Sequence, residues 1–174
     1  MIKFENETGI LIYDDFITIW AERINTLFCS ESDFEIHIIT LHQLHNTYHY
    51  LEDMSKENYE DSPYGCIYDG KFENQVNNVV IVHTDLTKIL DLDKNEQMAC
   101  LLHEIGHLSY YLDYGNMLGN NIQWKEFISD CFVKNIGVGN DLKSALSKLA
   151  QSGLYSQEYC DNALIWRIDQ LSNV

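Results

Sequence analysis

Apolar positions along this chain follow two rhythms, and the rhythm changes near the middle. The first part alternates short strand-like runs with helical spacing. Residues 2–13 read as a hairpin: Ile2–Glu5, a turn through Asn6-Glu7-Thr8-Gly9, then Ile10–Tyr13. Asp14 or Asp15 caps a predicted helix whose apolar side is Phe16, Trp20, Ile24 and Leu27. Phe34-Glu35-Ile36-His37-Ile38 alternates as a strand. Leu41 to Met54 returns to helical spacing through Leu41, Leu44, Tyr48 and Leu51. Residues 55–63 are polar and end at Pro63, which predicts a loop. Gly65-Cys66-Ile67-Tyr68, Asp69-Gly70 and Lys71-Phe72 form the pattern of a second hairpin with an Asp-Gly turn. Val79-Val80-Ile81-Val82-His83 is the clearest strand, and Thr84 to Asp91 a short connecting helix.

From residue 93 onward every element is helical. Asp93 stands as an N-cap, and Glu96 three residues later completes a capping-box pair. Behind them Met98, Leu101, Leu102, Ile105, Leu108 and Leu112 form one stripe. Tyr114-Gly115-Asn116 breaks that helix and Gly119-Asn120-Asn121 closes a loop. Ile122 to Ile136 is helical again, with Trp124, Phe127, Ile128, Cys131 and Phe132 as its apolar side. Gly137-Val138-Gly139 ends it, and Asn140 caps a helix with Leu142, Ala145, Leu146 and Leu149. The last helix runs from Ser156 to Leu171 with Tyr159, Leu164, Trp166 and Ile168. The expected fold class is α+β: a small mixed N-terminal sheet with helices, then a helical half. A single domain over 1–174 is expected, strand-rich in 1–92 and helical in 93–174.

Composition narrows the function. With 174 residues, 45% of them hydrophobic, the chain can bury a real core. Its formal net charge of -16 leaves no basic stripe for phosphates, so nucleic acid is excluded as a partner and anionic membrane surfaces are disfavoured. A neutral or basic substrate segment would be steered in more readily. There is no signal-peptide pattern and no run of membrane-spanning length, so a cytoplasmic location is expected. The five cysteines, Cys29, Cys66, Cys100, Cys131 and Cys160, are scattered without a C-x-x-C pair, as in a reduced compartment.

The chemistry concentrates in His103-Glu104-Ile105-Gly106-His107. On a helix the two histidines lie about 40° apart and about 6 Å apart along the axis, on a face away from the Leu101/Ile105/Leu112 stripe. A His-Glu-x-x-His run of this kind supplies two zinc ligands, with the glutamate as general base beside a bound water. A catalytic zinc takes a third protein ligand, for which two carboxylates compete. Asp113 stands six residues after His107, as the third ligand does in a metzincin, but Tyr110 replaces the glycine that would break the helix. Glu126 lies about 7.5 Å into the next helix, against about 9 Å from His107 to Asp113, so an antiparallel return brings it level with the histidines. Asp130, one turn further, is placed to orient a ligating imidazole. On the predicted helix from Leu41, His42, His45 and His49, with Asp53 beyond, make either a second metal group or a solvated flank. Cys100, one turn before His103, is a core residue or an extra ligand of a structural zinc site.

His103-Glu104-Ile105-Gly106-His107 followed by Glu126-Phe127-Ile128-Ser129-Asp130 resembles the gluzincin pattern of thermolysin-like peptidases, His-Glu-x-x-His with Glu-x-x-x-Asp. Residues 93–150 are similar to HtpX-type and ImmA/IrrE-type peptidase domains, and the compact size is similar to minigluzincins. The chain departs from HtpX-type proteins in having no membrane spans, and from gluzincin aminopeptidases in lacking Gly-Ala-Met-Glu-Asn. The resemblance implies one zinc ion held by His103, His107 and Glu126, with Asp130 orienting His103. It implies that Glu104 takes a proton from the zinc-activated water and that the enzyme is a metalloendopeptidase acting on a protein or peptide. It also implies a strand that pairs with the substrate backbone, here Val79, Val80, Ile81 and Val82. A Tyr or His that steadies the oxyanion would come from Tyr110, Tyr111, Tyr155, Tyr159 or His83. The alternative is a non-catalytic regulator that captures a peptide on the same scaffold.

Overall fold

A computed structural model describes residues 2–28, 33–47, 62–69, 76–110 and 121–172. The fold is α+β and mostly helical, and it divides into two compact units, Met1–Leu86 and Thr87–Val174.

The first unit is a four-stranded mixed sheet in the order β1-β2-β4-β3. Strand β1 is Ile2–Asn6, β2 is Asp33–Thr40, β3 is Tyr64–Asp69 and β4 is Val76–His83. β1 and β4 flank β2 in parallel, and β3 runs antiparallel to β4. Helix α1, Leu11–Leu27, connects β1 to β2 and buries Tyr13, Phe16, Trp20 and Ile24. Leu27, expected on that apolar side, is 48% exposed. Helix α2, Leu41–Asn46, is capped by Thr40 and buries Leu44 against Ile39, Val80 and Val82.

Residues 2–13 do not form a hairpin. Asn6 explains the difference. Its Oδ1 accepts from the Thr8 amide and hydroxyl, while its Nδ2 donates to the Ile10 carbonyl and Asp14. With Gly9 at φ +69°, that turn leads the chain straight into α1. Helix α1 therefore starts at Leu11, before the aspartates expected to cap it. Asn25 locks it to β1 by accepting from the Ile2 amide at 2.7 Å and donating to the Ile2 carbonyl at 3.0 Å. β3 pairs antiparallel with β4 in the register Tyr64↔His83, while Gly70, Lys71 and Phe72 of the expected Asp-Gly hairpin lie outside the described residues. Residues 48–54 of the expected long helix lie outside the described residues.

Within the expected span 84–91, Leu86–Ile89 forms α3, leading to α4, Lys94–Ser109, in the second unit. The predicted capping box is present: Asp93 Oδ1 accepts from the amides of Asn95 and Glu96 at 2.8 and 2.9 Å, and Glu96 Oε2 accepts from the Asp93 amide at 2.8 Å. Leu101, Leu102, Ile105 and Leu108 are buried, and Leu112 lies outside the described residues. Helix α5 is Ile122–Asn135 and α6 is Gly139–Gln151, both packed on α4. Helix α6 begins one residue before Asn140, without a side-chain cap, and buries Leu142, Ala145, Leu146 and Leu149. Gly137, at φ +93°, makes the turn between α5 and α6.

The last segment comprises α7, Gln157–Tyr159, a π-helical stretch, Cys160–Ile165, and α8, Trp166–Ser172. The wider turn shifts the phase of the helix. Leu164 is buried and Arg167 is partly buried, while Trp166, expected on the apolar side, is 36% exposed. Among the described residues no helix is long and apolar enough to cross a membrane.

Candidate metal centre

Two helices of the second unit build the site. Helix α4 carries His103, Glu104 and His107; α5 carries Glu126, Ser129 and Asp130. They pass unusually close. A Cβ on Gly106 would lie 2.9 Å from the Ser129 Cα, below any ordinary contact. Glycine at the fourth place of the His-Glu-x-x-His run is therefore what lets the backbone of α5 reach the histidines.

That approach turns Asp130 toward the histidines as expected, but not the apolar side expected of α5. Its buried residues are Ser129, Asp130 and Val133, whereas Trp124 is 47% exposed and Phe127, Ile128, Cys131 and Phe132 are partly exposed. The helix turns its polar stripe inward because the histidines of α4 lie there to meet it.

One ligand atom each from His103, His107 and Glu126 fall within 4.8 Å of one another. His103 Nε2 stands 3.2 Å from Glu126 Oε2, and His107 Nε2 stands 3.7 Å from Glu126 Oε1. Two imidazoles and a carboxylate this close together are a donor set that could hold a metal ion. The other ring nitrogens are held from behind. Asp130 Oδ1 lies 2.9 Å from His103 Nδ1, and Ser129 Oγ lies 2.9 Å from His107 Nδ1. Glu104 sits at the rim, its Oε2 3.9 Å from His107 Nε2 and its side chain 12% exposed.

The sequence reading missed Arg167. Its Nε and Nη2 donate to the two oxygens of Asp130 at 2.9 and 2.8 Å, and its Nη1 meets Glu126 Oε2 at 2.7 Å. Its Nη2 is nearly equidistant from the two nitrogens of His103, at 3.3 and 3.2 Å, so the guanidinium packs on the ring instead of aiming at one lone pair. A usable signal existed: Arg167 is one of two arginines in the chain and interrupts the apolar run Ala163-Leu164-Ile165-Trp166 and Ile168. A charge in such a run is buried only with partners.

The charges interlock. Burial opposes ionisation of Glu126 and Asp130, but Arg167 and His103 outweigh it and hold both carboxyls below their ordinary range. Burial and Arg167 push His103 down, yet Asp130 and Glu126 prevail and leave its pKa at about 9. Among the described residues His107 has a hydroxyl and not a carboxylate behind it; burial, then the neighbouring His103, push it down to about 3. Burial, followed by Glu104, pushes the Cys100 thiol up to about 12, so in the metal-free protein it stands as a neutral, buried core group.

The other candidates fall elsewhere. His42 and His45 are exposed on α2, and His49 and Asp53 lie outside the described residues, as do Asp113 and Tyr111. His83 is buried in the first unit, where its Nδ1 bonds the Tyr13 hydroxyl and its ring meets that of Tyr64 edge-on. Tyr110 is buried at the end of α4, and Tyr155 stacks on Tyr159 with centroids 5.0 Å apart. Val79, Val80, Ile81 and Val82 do not form an edge. β4 is hydrogen-bonded to β2 on one side and β3 on the other, so its backbone groups are taken and a substrate strand cannot add there. Among the described residues the sheet edges are β1 and β3.

Compared with known proteins, the chain matches no family model, no curated protein and no solved structure.

Proposed function

We propose that this chain is a zinc-dependent metallopeptidase of the gluzincin type, with a zincin-like second unit, acting on a protein or peptide. The observation that carries the reading is the convergence of His103, His107 and Glu126 within 4.8 Å, with Glu104 on the next residue of the same helix. Two imidazoles and a carboxylate are the ligand set of a catalytic zinc, which keeps one position open. Bound there, zinc would make a coordinated water acidic and polarise the scissile carbonyl. The chain's own groups do the rest. Asp130 and Ser129 hold the imidazoles, Arg167 holds Asp130 and Glu126, and Glu104 takes the proton of the attacking water and returns it to the leaving amine.

Metal analysis and a peptide-cleavage assay test this together. Wild type should carry one zinc per chain, Glu126→Ala should lose it, and Glu104→Gln should keep it while cleavage falls at least about 100-fold. Zinc retained at full affinity by Glu126→Ala would exclude Glu126 as the third ligand. Cleavage by Glu104→Gln at the wild-type rate would exclude Glu104 as the base.

One observation favours a second reading, a regulator that captures peptide without cutting it. Arg167 already pairs with Glu126 at 2.7 Å, so the charge of that carboxylate is met in part without a metal. A peptide library screened with zinc present separates the two: retention of intact peptides indicates capture, and fragments indicate catalysis.

A further inference from the structure

We infer that Ser129 is a positioning residue that fixes His107 in the tautomer protonated on Nδ1, leaving Nε2 bare on the side of Glu104 and Glu126. The consequence for metal binding rests on the metal-centre reading above; the tautomer itself rests on the hydrogen bonds alone.

The two histidines are held by different chemistry. His103 has a carboxylate behind its Nδ1, Asp130 at 2.9 Å. His107 has a hydroxyl, Ser129 Oγ at 2.9 Å. A hydroxyl can donate or accept, so by itself it selects no tautomer. The second bond of Ser129 decides. Its Oγ also lies 3.0 Å from the Lys125 carbonyl one turn back on α5, and a carbonyl can only accept. The single hydroxyl proton is thereby spent on Lys125, and Oγ faces His107 as an acceptor. His107 must then supply the proton of the shared bond from Nδ1. Its Nε2 is left with a lone pair, 3.7 Å from Glu126 and 3.9 Å from Glu104.

Packing makes the arrangement rigid. Ser129 is fully buried, so water cannot take the place of its hydroxyl. The close passage of Gly106 over the Ser129 backbone fixes the helix separation that sets the 2.9 Å contact. A buried serine bonded to the carbonyl one turn back is common and can be purely structural. The contact with the imidazole separates the two cases, because a structural serine would leave the His107 ring indifferent to its removal.

The experiment reads the side-chain 15N shifts of the histidines in metal-free protein at neutral pH, and zinc affinity by chelator competition, for wild type and Ser129→Ala. Alanine removes one atom, suits a helix and adds nothing against Gly106. Wild type should show His107 protonated on Nδ1. Ser129→Ala should show that proton redistributed between the two nitrogens, and its zinc dissociation constant should rise about 10-fold, as when an outer partner of a ligating histidine is lost. A wild-type His107 protonated on Nε2 overturns the proposal without any variant. An unchanged tautomer and an affinity within about twofold in Ser129→Ala overturn it as well. If wild type binds no zinc, the metal reading fails, and the metal-free spectra still decide the role of Ser129.

Discussion

At the scale of single residues the site is organised by a cation whose burial its local sequence signals but whose partners it does not name. His103, Glu104 and His107 are visible in the sequence because helical geometry alone places them on one side of a helix. Arg167 is 41 residues beyond Glu126 and reaches the cluster through the packing of α8, which no spacing rule encodes. Its removal should be severe. Arg167→Gln leaves Asp130 and Glu126 with His103 as their remaining cationic partner, and breaking a buried pair in this way costs about 3 kcal/mol or more. Urea unfolding of metal-free protein measures that loss. Zinc would restore positive charge beside Glu126, so saturating zinc should recover more stability in Arg167→Gln than in wild type. A loss below about 1 kcal/mol without metal would mean that water already compensates the carboxylates.

At the scale of elements, what could be read depended on whether the information was local. The cap of α4 is a contact between residues three apart, and Asp93 with Glu96 makes it as expected. The buried face of α5 is a tertiary choice. Apolar periodicity pointed to Trp124, Phe127 and Cys131, but α4 presents histidines, so Ser129 and Asp130 turn inward. β4, expected to pair with substrate, is instead hydrogen-bonded on both sides within the sheet, and its run Val79-Val80-Ile81-Val82, apolar at every position, is buried. The Ile10–Tyr13 run looked like a strand because β-branched and aromatic residues favour strands, and the Asn6 turn overrode that preference. The contact between α4 and α5 gives the sharpest element-level prediction. Gly106→Ala forces a methyl to 2.9 Å from the Ser129 Cα, and because the obstacle is backbone, the helices must separate. Overpacking of that kind costs about 1–3 kcal/mol. It should also weaken zinc binding more than it weakens the fold, since Glu126, Ser129 and Asp130 move together. Equal zinc affinity in Gly106→Ala and wild type would show that the helices can part without disturbing the ligands.

At the scale of the whole molecule, all residues of the proposed centre belong to the unit 87–174, while the sheet belongs to 1–86. Zinc should therefore act unevenly. A ligand present at about 100 times its dissociation constant stabilises the state that binds it by about 2.7 kcal/mol. Hydrogen exchange should show that protection in α4, α5 and α8 and little change in β1 to β4. The effect must also depend on pH, through His103. In the metal-free protein its proton is held to about pH 9 by Asp130 and Glu126, above the ordinary value of 6.5. That proton stabilises the metal-free fold fully below the ordinary value, and its contribution fades as pH rises through about 9. A metal ligand must give the proton up, so binding at neutral pH should release about one proton per zinc and affinity should climb until about pH 9, then level off. Titration calorimetry in buffers of different ionisation enthalpy counts the protons released. No release at neutral pH would mean that His103 is already neutral, with Arg167 and not the imidazole carrying the positive charge opposite Asp130. Protection spreading equally into the sheet would show that the two units unfold as one.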